Sequence, residues 1–150
     1  FNMKVKKIED DLVEYITQYV TKMLDKRSIK LECEFFNEKT KHICTFVPLE
    51  ISAIFDNFMT NSAKADAKIM KIRFQKKGEA LHILVGDNGT GVKKIDSEHI
   101  FKRGFTTTTG SGLGLHHVKT MVESMGGRIR FVDNGVDRLG KGACFEMIFE

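Results

Sequence analysis

The stretch from Ile51 to Lys64 reads I-S-A-I-F-D-N-F-M-T-N-S-A-K. At a helical step Ile51, Phe55, Phe58, Met59 and Ser62 gather on one side, an apolar stripe suited to a core. Asn57, Asn61 and Lys64 recur at i, i+4 and i+7 and make a second stripe beside it. Solvated helix faces usually carry Glu and Lys, which are better helix formers than asparagine. Two amides and an ammonium in a row therefore suggest chemistry. An amide oxygen is a neutral, hard ligand for Mg²⁺, and an ammonium is a point charge for phosphate. The plainer alternative for this helix alone is a partly solvated face with polar filler.

The 150 residues suit one domain spanning 1–150, large enough for a true core. Hydrophobic residues make up 41% and charged residues 29%, the balance of an ordinary soluble globular chain. The formal charge of +4 fits an anionic ligand such as a nucleotide, but it is too small and scattered to argue for nucleic acid. Cys33, Cys44 and Cys144 are odd in number and each sits in an apolar alternation. They read as small core residues of a reducing compartment, not as a disulfide frame or a zinc site. No stretch approaches the roughly 20 apolar residues of a membrane span, and no signal peptide is evident. Because the chain opens on Phe1, a piece of a longer, membrane-anchored or soluble protein is expected.

Working outward from the central helix, Ile8, Leu12, Tyr15, Ile16, Tyr19, Val20 and Met23 predict an amphipathic helix opened by Glu9, Asp10 and Asp11. Residues 29–36 alternate as a strand, Asn37 to Thr40 supplies a turn, and residues 42–47 return as a second strand. Pro48 suits the first turn of the next helix, which should end near Ala65 to Ala67. Strands are expected at 68–75, 79–86, 128–133 and 143–149, with a last helix from Gly112 to Met125 stopped by Gly126-Gly127. Residues 88–112 lack any period and are rich in Gly and Thr, as functional lids are. Nearly every strand has one apolar and one charged face, which argues against a doubly wound parallel sheet. The expected fold is α+β, a two-layer sandwich of a mixed, mostly antiparallel sheet with three main helices on one face.

Two further stretches carry chemistry. Strand parity puts Asp87 on the same side as Leu81, Ile83 and Val85, and a carboxylate there needs a donor or costs on the order of 2–5 kcal/mol. The N-G-T-G that follows leaves the backbone unshielded, so an adenine ring with its amine on the carboxylate would satisfy both features. The alternative is an Asp bonding its own backbone in a D-N-G turn. Gly110-Ser111-Gly112-Leu113-Gly114 opens the last helix, where free N–H groups favour phosphate. It matches neither the dinucleotide fingerprint nor a Walker loop.

In this order, an Asn-rich helix, D-x-G-x-G, a lid and G-x-G-L-G-L, the sequence resembles the ATP-binding domain of sensor histidine kinases. That Bergerat-type group also holds gyrases, mismatch-repair ATPases and heat-shock chaperones. The matching boxes are N-F-M-T-N-S-A-K (57–64), D-N-G-T-G (87–91), I-F-K-R-G-F (100–105), G-S-G-L-G-L (110–115) and G-K-G-A-C-F (140–145). The resemblance implies catalytic roles for Asn57, Asn61 and Lys64, with Asn61 on Mg²⁺ and Lys64 on phosphate. It implies that Asp87 bonds the adenine amine with Gly91 letting the ring approach, that Gly89 and Val92 also bind the nucleotide, and that Phe101 anchors the lid. Lys102 and Arg103 would bring charge to the γ-phosphate on a mobile lid, the alternative being a solvated basic pair. Gly110, Gly112 and Gly114 would wrap the triphosphate, with Thr109, Ser111, Leu113 and Leu115 also among the nucleotide-binding residues.

Two departures stand out. Ala143 occupies a position where many relatives have Thr, and Asn57 stands where hydrolytic members carry a Glu that activates water. An amide has no basic lone pair at neutral pH, so efficient hydrolysis is disfavoured. None of His42, His82, His99, His116 and His117 has the His-Glu/Asp…Pro context of the acceptor helix. The resemblance thus implies transfer of the γ-phosphoryl group of Mg-ATP to a histidine on a separate, upstream dimerisation domain. A response regulator would follow as partner, in the cytoplasm, with no nucleic acid and no membrane contact by this domain. A serine kinase of the anti-sigma-factor type and a nucleotide-gated module without chemistry are the rivals.

Overall fold

Alternation builds the sheet. The computed structural model describes residues 6–27, 30–93, 96–102, 114–132 and 142–150. In chain order they form β1 (Ile8–Asp11), α1 (Leu12–Lys26), β2 (Glu32–Phe36), β3 (Ile43–Phe46), α2 (Pro48–Lys64), β4 (Ile69–Lys77), β5 (Ala80–Asp87), α3 (Gly114–Ser124), β6 (Arg128–Phe131) and β7 (Cys144–Phe149). Five strands make one sheet in the order β2-β4-β5-β7-β6, and β1 and β3 pair separately. Only β2 runs parallel to its neighbour within that sheet; β4, β5, β7 and β6 pair antiparallel. This is the mixed, mostly antiparallel α+β sandwich expected from the alternation.

Register carries one face of the sheet into the core. Ile72 lies opposite Val85, Phe74 opposite Ile83, and Ile83 opposite Met147, and all five are buried. The helices contribute Ile16, Val20, Ile51, Ile54, Phe55, Met59, Val118 and Val122 to the same cluster. The β4–β5 hairpin turns through Gly78-Glu79, with Gly78 at φ +62°, which a glycine reaches without strain. On the opposite face Glu146 takes Arg130 Nε at 2.8 Å and His82 Nδ1 at 3.2 Å. Burial alone would push the Glu146 carboxyl up, but the bonds from Arg130 and His82 outweigh it and hold it below the usual carboxylate range.

Helices α2 and α3 end alike. After α2, Asp66 adopts φ +57°, Ala67 N–H reaches Ser62 C=O at 3.0 Å, and Asp66 N–H reaches Ala63 C=O at 3.1 Å. After α3, Gly126 at φ +77° repeats the pattern through Gly127 N–H to Val122 C=O at 3.0 Å. These six-to-one bonds satisfy carbonyls that the helix leaves over.

The N-terminal expectation needs correction. Residues 8–11 are a strand, not the first turn of a helix: Ile8 lies opposite Phe46 and Asp11 opposite Ile43. Helix α1 starts one residue later, with Asp11 as N-cap accepting Val13 N–H at 3.0 Å. The same oxygen accepts His42 N–H at 3.1 Å, so one buried carboxylate joins the cap to β3. Nor do β2 and β3 form a hairpin across Asn37 to Thr40, although that turn exists, with Glu38 and Lys39 at positive φ. Pairing beside β4 sets Cys33 level with Met70 and Phe35 level with Ile72, over the core. That burial outweighs a local hairpin.

His42 marks the joint between the small sheet and the large one. It is buried, Lys76 Nζ lies 2.8 Å from its Nδ1, and Nε2 meets no partner among the described residues. Lysine only donates, so Nδ1 accepts and the ring is neutral. Burial first, and the Lys76 charge second, hold the His42 pKa below its ordinary 6.5. In the unfolded chain His42 takes its proton near 6.5, while in the folded chain it resists. Its contribution to stability is therefore full above that value and is lost as pH falls below it. Denaturant titrations between about pH 7.5 and about pH 5.5 should show stability falling, with a shallower fall in His42→Gln. Equal slopes in the two proteins would contradict this account of the joint.

Candidate functional site

Helix α2 presents three faces, each committed to a different neighbour. Ile51, Ile54, Phe55, Phe58 and Met59 are buried against the sheet. Ser52 and Asp56 face α1: Ser52 Oγ meets Tyr15 Oη at 2.8 Å, and Asp56 accepts from Tyr19 Oη at 2.7 Å and Arg27 Nη2 at 3.3 Å. Burial and the Asp56 bond push the Tyr19 phenol up to about 12, so it remains a donor at neutral pH. Asn57, Asn61 and Lys64 form the remaining stripe, half-buried for the two amides and exposed for the lysine. With its first two faces fixed, the helix cannot rotate the amides away.

Asp87 ends β5 on the core side, as strand parity requires, and is only 7% exposed. Both oxygens are engaged: Oδ1 accepts Gly89 N–H at 2.9 Å and Oδ2 accepts the Ser62 hydroxyl at 2.7 Å. The D-N-G turn bond is therefore real, but it takes one oxygen only. Next door, Asn88 Oδ1 accepts the N–H groups of Lys68 and Ile69 at 2.8 and 3.0 Å, closing the β5 turn on the start of β4. Thr90 N–H bonds Ala65 C=O at 3.0 Å, and Gly91 takes φ +76°. The box 87–91 is thus stitched to the end of α2.

Close approaches complete the site. A Cβ on Gly89 would meet Ala65 C=O at 2.6 Å, and one on Gly114 would meet Asn57 Oδ1 at 2.8 Å. Asn57 gives its amide N–H to Ala53 C=O at 2.9 Å, which turns Oδ1 toward the first residue of α3. Val92, Phe101 and Leu115 pack on the core, and Phe101 meets Phe145 edge-on with ring centres 6.0 Å apart. Lys102 is exposed, at the end of a run of tight turns that includes Lys102 N–H to His99 C=O at 2.9 Å. Arg103, Thr109, Gly110, Ser111, Gly112 and Leu113 lie outside the described residues. The structure therefore brings together Asn57, Asn61, Lys64, Asp87, Gly89, Gly91 and the start of α3 around the C-terminal half of α2.

Sequence reasoning missed the working contact of Ser62 and the importance of Gly142. Ser62 was placed on the apolar stripe, and a hydroxyl on such a stripe signals that a buried acceptor must lie opposite. For Gly142, a Cβ would collide with Asp87 Oδ1 and lie 2.7 Å from Gly89 N and 2.8 Å from Asp87 C=O.

The donor set also bears on a metal. No cluster of three or more His, Cys, Asp or Glu side chains suited to an ion occurs among the described residues. Amide oxygens on one helix face fit a hard cation that arrives with phosphate and water ligands of its own.

The family model described as "Histidine kinase-, DNA gyrase B-, and HSP90-like ATPase" matches residues 47–150, and the chain belongs to that family. Among curated relatives it is 28% identical over 151 residues to the alginate biosynthesis sensor protein KinB of Pseudomonas aeruginosa, covering 92% of this chain and 24% of that protein. It is 31% identical over 101 residues to a probable C4-dicarboxylate sensor kinase of Bacillus subtilis, covering 66% of this chain and 18% of that protein. The chain therefore spans about a quarter or less of these relatives. Its fold matches the nucleotide-free catalytic domain of histidine kinase ThkA, with a TM-score of 0.79 at 22% identity over 96% of this chain and 95% of that one. It also matches full-length ShkA in complex with AMPPNP, with a TM-score of 0.79 at 23% identity over 98% of this chain and 31% of that one.

Substituting Gly142→Ala should force β7 away from the β5 turn, an overpacking cost of about 1–3 kcal/mol. In a thermal melt that corresponds to a loss of roughly 2–12 °C. An unchanged midpoint would show that the segment before β7 yields freely, and that Asp87 is not held from that side.

Proposed function

We propose that this chain binds Mg-ATP and transfers its γ-phosphoryl group to a histidine on a separate helical domain of the same protein. The carrying observation is Asp87, a buried carboxylate whose two oxygens are oriented by Gly89 and Ser62 at the edge of an amide-lined helix. Each oxygen keeps a lone pair, so the carboxylate can accept the adenine amine while Gly91 lets the ring lie against the backbone. Val92, Leu115 and the Phe101–Phe145 pair, which pack on the core, are assigned the apolar contacts of the nucleotide in this reading. On the turn of α2 that reaches Asp87 through Ser62, Asn61 offers an amide oxygen to Mg²⁺, and Lys64 at the helix end offers a charge to the phosphates. The cation supplies neutralisation of the charge that develops on the phosphate oxygens.

The division between transfer and hydrolysis rests on Asn57. Its Nδ2 is spent on Ala53 C=O and its Oδ1 faces α3, so this side chain cannot take a proton from water. An imidazole nitrogen brought by the partner domain needs no such base. It attacks phosphorus with its own lone pair, the bond to the β–γ bridging oxygen breaks, and ADP leaves. Lys102, Arg103 and the segment from Thr109 to Leu115 are assigned to the phosphate end by the resemblance. A response regulator then takes the phosphoryl group in the cytoplasm. No described helix is long and apolar enough to cross a membrane, which fits a catalytic piece of a larger sensor.

Labelled Mg-ATP incubated with this chain and the parent protein's histidine-bearing domain should yield acid-labile, base-stable phosphate on that domain. Asn61→Ala should abolish the label. The chain alone should hydrolyse ATP only slowly and leave itself unlabelled. Rapid hydrolysis by the isolated wild-type chain would mean that another residue acts as base, and the kinase reading would give way to a hydrolytic one.

A further inference from the structure

Ser62 is a hydroxyl on the core stripe of α2, only 4% exposed. Its Oγ donates to Asp87 Oδ2 at 2.7 Å. Asp87's backbone is held by β7 and its approach: its N–H reaches Ala143 C=O at 3.2 Å, and its C=O accepts Gly142 N–H at 2.8 Å. Extending the β5–β7 register by one step past Gly86 and Cys144 sets Ala143 opposite Asp87, on the face shared by Val85 and Phe145. A methyl there offers no donor. Among the described residues the strand side therefore supplies only backbone contacts, and the side-chain donor to the carboxylate comes from the helix.

This arrangement has chemical consequences. A hydroxyl donates one hydrogen bond without bringing a charge, so it steadies a carboxylate and leaves its negative charge for a ligand. With Gly89 N–H on one oxygen and Ser62 on the other, rotation about the carboxylate bond is arrested and the remaining lone pairs point in fixed directions. Residues 61 and 62 are adjacent on one helical turn. The same turn thus turns Asn61 toward the site and Ser62 toward Asp87.

We infer that Ser62 is a positioning residue for base selection, which acts through Asp87 and couples the adenine end of the site to the amide-bearing face of α2. The inference rests on the ATP reading above and adds to it the residue that sets selectivity between a 6-amino and a 6-oxo purine.

Titration calorimetry with Mg-ATP and Mg-ITP on the wild type, Ser62→Ala and Ser62→Ala/Ala143→Ser tests it. Wild type should prefer ATP. Ser62→Ala should lose about tenfold in ATP affinity, the scale of one hydrogen bond to a charged group, with ITP affinity nearly unchanged. Placing a hydroxyl across the strands in the double variant should recover most of the preference. Ser62→Cys, which keeps the volume with a weak donor, should shift the preference in the same direction as alanine and serves if the alanine variant does not fold. Equal losses for both nucleotides, or none, would overturn the inference and leave Ser62 as packing while ATP binding stands. Failure of the wild type to bind ATP would instead remove the nucleotide reading, and this inference with it.

Discussion

Burying a carboxylate at the edge of a hydrophobic core is tolerable only when hydrogen-bond partners surround it, and Asp87 is in that position. One donor is local and the other is distant in sequence. Ser62 reaches it from α2 and Gly89 from the turn that follows β5. On its other side Gly142 and Ala143 approach so closely that a side chain on Gly142 would collide with it. The end of β5 and the C-terminal half of α2 must therefore be assembled before the carboxylate is satisfied, and the start of β7 closes on its backbone. The site and the fold are one structure.

Helix α2 carries that assembly along a further face. Its apolar face fixes its depth against the sheet, and its bonds to Tyr15, Tyr19 and Arg27 of the α1 region fix its rotation. The pair between Arg27 and Asp56 is partly exposed and adds little by itself. The Tyr19 bond contributes more, being short and partly shielded. What remains is the stripe of Asn57, Asn61 and Lys64, presented beside Asp87 with no freedom to turn. In the proposed reading the two amides and the ammonium hold a metal and phosphates without supplying a general base. A positioning device for phosphoryl transfer needs that combination.

How much was legible in the sequence depended on range. Parity along β5 placed Asp87 facing the core because strand alternation is a local rule, and helical spacing lined up the amides for the same reason. The strand Ile8–Asp11 was hidden because Ile8 and Leu12 fit a helical step as well as the end of a strand followed by a helix. The parallel placement of β2 beside β4 overrode a plausible hairpin because burial of Cys33 and Phe35 lies outside any local window. The Ser62–Asp87 bond and the contact at Gly142 join residues 25 and 55 positions apart, where spacing patterns carry no signal. The glycine box from Gly110 was legible as a motif, and its residues up to Leu113 fall outside those described.

The central claim is that Asp87 receives the amine of adenine. Calorimetric titration of Mg-ATP and Mg-GTP into the wild type and Asp87→Ala tests it most directly. The account predicts that the variant loses about 1.5–3 kcal/mol of ATP affinity, roughly ten- to a hundredfold, and much of its preference over GTP. Unchanged affinity and selectivity in a folded Asp87→Ala protein would contradict it.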